Sequence, residues 1–285
     1  MCVQGRGIIG GVRELDLIRW IAGRADEVGD DCAVLDCAPW GTLLATTDSV
    51  IDGVHLRWEH EGPGAFGYKA VARHLSDIAA MAGEPLWALV AACLPPDVTE
   101  EQARALYEGA ERAGCRLVGG DTSFGPTPTV TFTVLGRAHE NGPVLRSGAR
   151  PGDWIVVSGP LGGSLASGRH YTFTPRVAEA KALVEACDVG AMIDLSDGLS
   201  TDLHHVLQAS GVGCRLEAER IPRNDVPLNN ALNDGEDYEL LATVRPGDLP
   251  SGFVRIGVIT EADALLTHPG GREEPLVARG YEHGA

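Results

Sequence analysis

Carboxylates stand at the ends of apolar runs throughout this chain. Thr42-Leu43-Leu44-Ala45-Thr46-Thr47 runs into Asp48, Arg116-Leu117-Val118-Gly119-Gly120 into Asp121, and Ala191-Met192-Ile193 into Asp194, with Asp197 close behind. Asp30 and Asp31 precede the apolar run from Cys32, and Asp77 precedes Ile78-Ala79-Ala80-Met81. An ionised carboxylate beside apolar side chains is costly unless a cation or backbone N–H groups meet it. Taken singly, each fits a turn or, at Ser196-Asp197-Gly198, a helix N-cap. Taken together they outnumber Lys69 and Lys181, the two lysines, and few arginines lie in these runs. Hard divalent cations take oxygen ligands, and Mg²⁺ is held by a few carboxylates together with nucleotide phosphates. A magnesium–nucleotide site is the joint explanation of the set.

Other chemistries find less support. Gly5-Arg6-Gly7-Ile8-Ile9-Gly10 has dinucleotide-fingerprint spacing but follows no strand, and neither lysine sits in a P-loop sequence. The 9 histidines show no zinc spacing. His204-His205 reads as mid-helix surface and packing, whereas His55, just past the Asp48 strand end, fits a structural histidine or a substrate contact equally. No Gly-x-Ser-x-Gly elbow supports acyl transfer. The 7 cysteines are scattered among apolar residues without a Cys-x-x-Cys pair, which reads as core filler in a reducing cytoplasm. A net charge of −17 argues against nucleic-acid and membrane-surface partners. The apolar stretch 78–94 is too broken by Glu84-Pro85 to span a bilayer, and acidic residues interrupt the N-terminal stretch too early for a signal peptide.

The elements that must position these residues alternate. Helices are expected over 12–22, 64–83, 99–114, 176–187 and 199–210. Strands are expected over 32–35, 42–47, 86–94, 116–118, 129–136, 154–157, 191–194, 213–216, 238–244 and 253–259. The turn-rich segment 146–153 marks a domain boundary, giving an N-terminal domain of residues 1–145 and a C-terminal domain of residues 146–285. The expected class is α/β and α+β, with mixed rather than all-parallel sheets.

In chain order, Gly29-Asp30-Asp31, Thr46-Thr47-Asp48 with Gly53-Val54-His55, Leu75-Ser76-Asp77-Ile78-Ala79-Ala80-Met81, Gly119-Gly120-Asp121-Thr122, Arg146-Ser147-Gly148-Ala149-Arg150-Pro151-Gly152-Asp153, Met192-Ile193-Asp194-Leu195-Ser196-Asp197-Gly198-Leu199 and Gly235-Glu236-Asp237-Tyr238-Glu239-Leu240-Leu241 form a series. That series resembles the thiamine-monophosphate kinases of the aminoimidazole-ribonucleotide-synthetase superfamily. It covers nearly the whole chain, and its specificity lies in the combination.

The resemblance implies a two-domain aminoimidazole-ribonucleotide-synthetase-like fold whose N-terminal sheet pairs across a homodimer. It implies transfer of the γ-phosphoryl of ATP, the co-substrate, to thiamine monophosphate with several Mg²⁺ ions. Carried over by position, Asp31, Thr46, Thr47, Asp48, Asp77, Asp121, Asp194 and Asp197 would bind metal. Tyr107, Gly120, Asp121, Arg146 and Ser196 would contact ATP, and His55, Glu236 and Tyr281 the thiamine phosphate. No residue is expected as a general base, since a phosphate oxygen is the nucleophile. The segments 168–188 and 221–233 are shorter than the family's, and Leu56 stands where the family has an aromatic. The alternatives are another ATP-using member of the superfamily, such as selenophosphate synthetase or the hydrogenase-maturation relative, and a non-catalytic nucleotide-binding paralogue.

Overall fold

Two mixed sheets share one buried helix. The computed structural model describes residues 30–37 and 41–281. The helix expected over 12–22, the glycines at 5–10, Cys2 and the residues after Tyr281 lie outside the described residues.

The first sheet is built from β1 (Ala33–Asp36), β2 (Thr42–Ile51), β3 (Glu84–Leu94), β4 (Arg116–Phe124) and β5 (Thr129–Arg137), in the order β1-β2-β5-β3-β4. Its pairs are antiparallel except β3 with β4. The second contains β6 (Trp154–Val157), β7 (Val189–Asp194), β8 (Gly213–Glu217), β9 (Leu240–Val244), β10 (Val254–Thr260), β11 (Ala264–Thr267) and β12 (Glu273–Pro275), ordered β12-β11-β8-β10-β6-β9-β7. Only β8 and β11 run parallel among its described pairs. The mixed pairing matches the expectation. Strand β4 outruns its predicted end at residue 118 because its partner β3 continues beside it through Leu94↔Phe124.

The helix Pro63–Ala80 begins with proline at its first position, where the missing N–H costs nothing. On one side Phe66, Ala70, Leu75 and Ile78 pack with Leu44, Val90 and Phe132 of the first sheet. On the other, Ala79 and Ala80 pack with Val156, Met192 and Leu240 of the second. Burying each Leu-, Ile- or Phe-sized side chain contributes about 1.5–3 kcal/mol, which offsets the cost of the charges this helix also carries inside. The helix Glu100–Arg112, closed by a Thr99–Gln102 capping box, crosses it at very short range. A Cβ on Gly67 would lie 1.8 Å from the Leu106 carbonyl oxygen, and one on Gly109 would lie 2.1 Å from that of Gly64. Only glycine fits either position.

The helix ends through a left-handed residue, and that residue is Ala82 (φ 54°), not the expected Gly83. Gly83 has a different duty: a Cβ there would lie 2.5 Å from Leu44 Cδ1.

The second sheet is covered on both faces, which is why its central strands read as unbroken apolar runs. Ile155, Val157 and Ile193 face the helix Leu199–Ser210, while Val156 and Met192 face the shared helix and the helix Val177–Ala186.

Candidate functional site

Lys69, Arg73 and Asp77 recur every fourth residue of the shared helix and so fall along one stripe. The stripe runs between the two sheets, and each charge meets a partner brought by another element.

At the Asp77 end three carboxylates converge. Asp31, ahead of β1, and Asp194, the last residue of β7, join Asp77 with carboxylate oxygens within 4.8 Å of one another. Thr46 Oγ1, from the covered face of β2, donates to Asp77 Oδ2 at 2.6 Å, and Ser76 Oγ donates to Asp194 Oδ2 at 2.6 Å. Arg146 straddles Asp31, donating from Nε at 3.2 Å and Nη2 at 3.1 Å, while its backbone N–H donates to Asp30. Burial, then the charges of Asp194 and Asp31, push the Asp77 carboxyl well above its ordinary range. Burial and Asp31 push Asp194 up to about 7, against the opposing Ser76 hydrogen bond and Arg146 charge. Three clustered carboxylates facing one guanidinium are short of positive charge, and an oxygen-only donor set fits a hard divalent cation.

At the Lys69 end the helix meets the loop ahead of β9. Lys69 is fully buried and ion-paired with Glu236. Its Nζ also lies 2.9 Å from His170 Nδ1 and donates to the His55 carbonyl at 3.4 Å. Burial pulls the Lys69 ammonium below its ordinary value and Glu236 pulls it back. Glu236 is partly buried, which alone would raise it, but the His170 hydrogen bond and the Lys69 charge hold it at about 2. Glu236 (φ 66°) and Tyr238 (φ 52°) both take left-handed backbone, a cost of order 1–2 kcal/mol each that the surrounding bonds must overcome. Those bonds are Glu236 N–H to Ser196 O at 2.7 Å and Tyr238 N–H to Leu195 O at 2.8 Å, with Tyr238 stacked on Phe173 at 4.1 Å.

Between these ends opens a cleft of about 150 Å³, lined by His55, Arg73, Ser196, Asp197, Glu236 and Tyr281 among others. His55 Nδ1 accepts the Ile51 N–H at 3.1 Å, so its proton sits on Nε2. Burial and the charges of Arg73 and Lys69 lower its pKa to about 4, keeping the ring neutral at pH 7. Arg73 pairs with Asp48 from β2 and donates to the Ser49 carbonyl at 3.3 Å. Tyr281 is anchored through its backbone N–H, which donates to Asp197 O at 3.0 Å. Gly280 makes that approach possible, since a Cβ there would lie 2.1 Å from Asp197 O.

Asp197 is not the cap that its local sequence also allowed. Gly198 is the N-cap of the helix Leu199–Ser210, and Asp202 accepts the N–H groups of Asp197 and Gly198 at 3.0 Å each.

The remaining sequence-derived residues lie elsewhere. Thr47 points to the open face of the first sheet, where its Oγ1 meets Phe132 O and Thr133 Oγ1 at 3.0 Å each. Asp121 sits on the exposed strand β4, in a row with Ala91, Thr131 and Ser49, so alternation puts it on that same open face. A Cβ on Gly120 would lie 2.1 Å from Val90 O, and Tyr107, from the helix Glu100–Arg112, hydrogen-bonds Thr122 at 2.8 Å. Within one chain these residues are apart from the carboxylate cluster. Sequence reasoning missed Lys69, Arg73 and His170. It also expected few arginine partners, yet Arg73 and Arg146 serve Asp48 and Asp31. The signal for the first two was the four-residue spacing from Asp77. The buried thiols Cys32, Cys115 and Cys214 match their reading as core filler. Burial raises all three, Cys214 to about 12.

Comparison with known proteins bears on this arrangement. Residues 29–138 match the family model "AIR synthase related protein, N-terminal domain". The thiamine-monophosphate kinase of Rhodopirellula baltica is 40% identical over 242 residues, 77% of this chain and 76% of that one. That of Escherichia coli K12 is 33% identical over 300 residues, 90% and 91% of the two chains. Among solved structures, AaThiL complexed with AMPPCP and TMP superposes with a TM-score of 0.84 at 30% identity, covering 95% of this chain and 97% of that one. A structure of the hydrogenase maturation protein HypE with HypF shares the fold at 17% identity, with a TM-score of 0.72 and coverage of 92% and 99%.

Proposed function

The chain belongs to the thiamine-monophosphate kinase family, and on that footing we propose that it transfers the γ-phosphoryl group of ATP to thiamine monophosphate, giving thiamine diphosphate and ADP. The observation that carries the reading is the charged stripe of the shared helix, which leads from the Asp31–Asp77–Asp194 cluster into the adjoining His55–Glu236–Tyr281 cleft. A donor phosphate beside the first and an acceptor phosphate in the second would meet midway along it. The AaThiL structure, complexed with AMPPCP and TMP, adds that a relative of the same fold holds an ATP analogue together with TMP.

In this reading Asp31, Asp77 and Asp194 would hold Mg²⁺. Thr46, Thr47, Asp48, Asp121 and Asp197 belong to the ligand set that the family resemblance implies, Thr47 and Asp121 facing the open side of the first sheet rather than this cluster. Bound there, the metal supplies charge neutralisation for the triphosphate. Tyr107, Gly120, Asp121, Arg146 and Ser196 contact the nucleotide. His55 offers its Nε2–H as a neutral donor, Glu236 faces the cationic part of the acceptor, and Tyr281 supplies an aromatic wall. An ionised oxygen of the acceptor phosphate attacks the γ-phosphorus. A P–O bond forms to it as the bond to the β-bridging oxygen breaks, and ADP leaves. No proton is removed from the nucleophile, so alignment and charge neutralisation carry the rate and no general base is assigned.

We extend the proposal to a homodimer and to domains dividing at residues 145 and 146. What favours the dimer is β4, an edge strand exposed along most of its length and ending in Phe124 (65% exposed), with Leu89 (44% exposed) beside it on β3. Such an apolar edge invites another sheet. The described cysteines are free thiols, in keeping with a reducing cytoplasmic setting. The test is ADP release from Mg-ATP on addition of thiamine monophosphate, with thiamine diphosphate identified as product. Absence of that product from folded protein would overturn the assignment.

A further inference from the structure

Resting on that proposed reaction, we infer that Arg73 is the residue that recognises the acceptor's phosphate group, so that the cleft selects a phosphorylated acceptor over its unphosphorylated counterpart. The charges around the cleft point to it. Asp197 contributes a carboxylate, Glu236 a second whose charge is matched by Lys69 behind it, and His55 is a neutral donor. A phosphate dianion entering this space meets net repulsion unless a fixed cation receives it. Among the described residues lining the cleft, Arg73 is the one with a permanent positive charge. Lys69 cannot serve: it is fully buried behind the cleft and already engaged by Glu236, His170 and the His55 carbonyl.

Arg73 is built for the task. Its side chain is 15% exposed, its stem lying in the helix and its guanidinium reaching the cleft. The group is steadied by Asp48 at Nη2 and the Ser49 carbonyl at Nη1, partners for two of the five N–H groups a guanidinium carries. Position along the helix adds the second argument. Arg73 is one turn from Asp77, whose cluster faces the donor side, and one turn from Lys69, whose Glu236 faces the acceptor. A phosphate held at Arg73 therefore lies where the two substrates must touch. The planar fork matches paired phosphate oxygens, which an ammonium does not.

The experiment is calorimetric titration of thiamine monophosphate, and separately of thiamine, into the full chain with Mg²⁺ and AMPPCP present. The proteins compared are the wild type, Arg73→Gln and Arg73→Lys, each checked for cooperative melting. A hydrogen bond between charged groups is worth enough that Arg73→Gln should weaken the phosphorylated ligand about 10- to 100-fold. Thiamine and Mg-AMPPCP affinities should stay within about twofold, well under one such bond. Arg73→Lys keeps the charge and loses the fork, so a selective loss of about threefold or more is expected, and this variant decides alone should the glutamine variant fail to fold. Equal weakening of both acceptors, an unchanged affinity for thiamine monophosphate, or a change confined to Mg²⁺ or AMPPCP would overturn the inference. A wild type that binds no thiamine monophosphate at all would instead count against the proposed function.

Discussion

Lys69 and Glu236 form a buried ion pair across 167 positions of sequence, tying the shared helix to the loop ahead of β9. Removing the ammonium alone leaves a carboxylate that is only 21% exposed without its cation. Lys69→Met is therefore expected to destabilise by about 3–5 kcal/mol and to lower the thermal midpoint by about 10 °C. Adding Glu236→Gln should restore much of the midpoint while acceptor turnover stays low. The pair also has a pH signature. Glu236 is depressed from 4.5 to about 2, so its contribution is present above pH 4.5 and disappears as pH falls through about 2. Melting curves over that window should be steeper in pH for the wild type than for Glu236→Gln.

Asp194 predicts the opposite slope. Its carboxyl is raised from 3.8 to about 7, so its contribution is full below pH 3.8 and is lost as pH rises through 7. Metal-free Asp194→Asn should therefore melt above the wild type at pH 8, because a buried charge has been removed. Mg²⁺ should raise the wild-type midpoint by mass action and move the variant much less. Differential scanning calorimetry with and without Mg²⁺ reads both effects. Identical responses in the two proteins would mean that the cluster holds no cation.

Gly280 gives a prediction confined to the acceptor. A methyl group there would press on the Asp197 carbonyl and lift the Tyr281 backbone off it. Gly280→Ala should raise KM for thiamine monophosphate about tenfold, the equivalent of one lost contact of about 1.4 kcal/mol, and leave KM for ATP unchanged. Steady-state kinetics with each substrate varied in turn makes the check.

The open edge of the first sheet yields the last prediction. Phe124→Asp or Leu89→Glu places a charge on an exposed apolar position, which costs a folded monomer little but disrupts a docked sheet. Sedimentation should show the wild type at twice the monomer mass and the variants shifted toward the monomer. Equal masses for all three proteins would refute pairing through this edge.

Much of this molecule was readable beforehand, and the unread parts share a cause. Strand β6 and the helix Leu199–Ser210 fall on their predicted bounds because local apolar pattern and nearby turn residues agree there. Strand β4 was cut short because two glycines and an aspartate carry weak strand propensity, and only pairing with β3 extends it. Strands β11 and β12 escape the pattern because they are short: β11 is held by β8, distant in sequence, and β12 pairs back onto β11 as an edge hairpin. Asp31, Asp77 and Asp194 stood out as acids among apolar residues, and the fold brings them together. Lys69 and Arg73 did not, since a basic residue within a helix ordinarily marks a solvated face. Here His170 and the loop ahead of β9 close over Lys69, and β2 supplies the partner of Arg73, which no local pattern reveals.

The shared helix also works as a graduated rod. An α-helix advances about 1.5 Å per residue, so its three charged marks stand about 6 Å apart and their separations are fixed by the covalent chain. The donor end and the acceptor end cannot drift independently, because both are read off the same rod clamped between two sheets. Inserting or deleting a single residue between Arg73 and Asp77 would turn one mark about 100° from the others. Point substitutions can adjust the chemistry at each mark, whereas the spacing admits no intermediate settings.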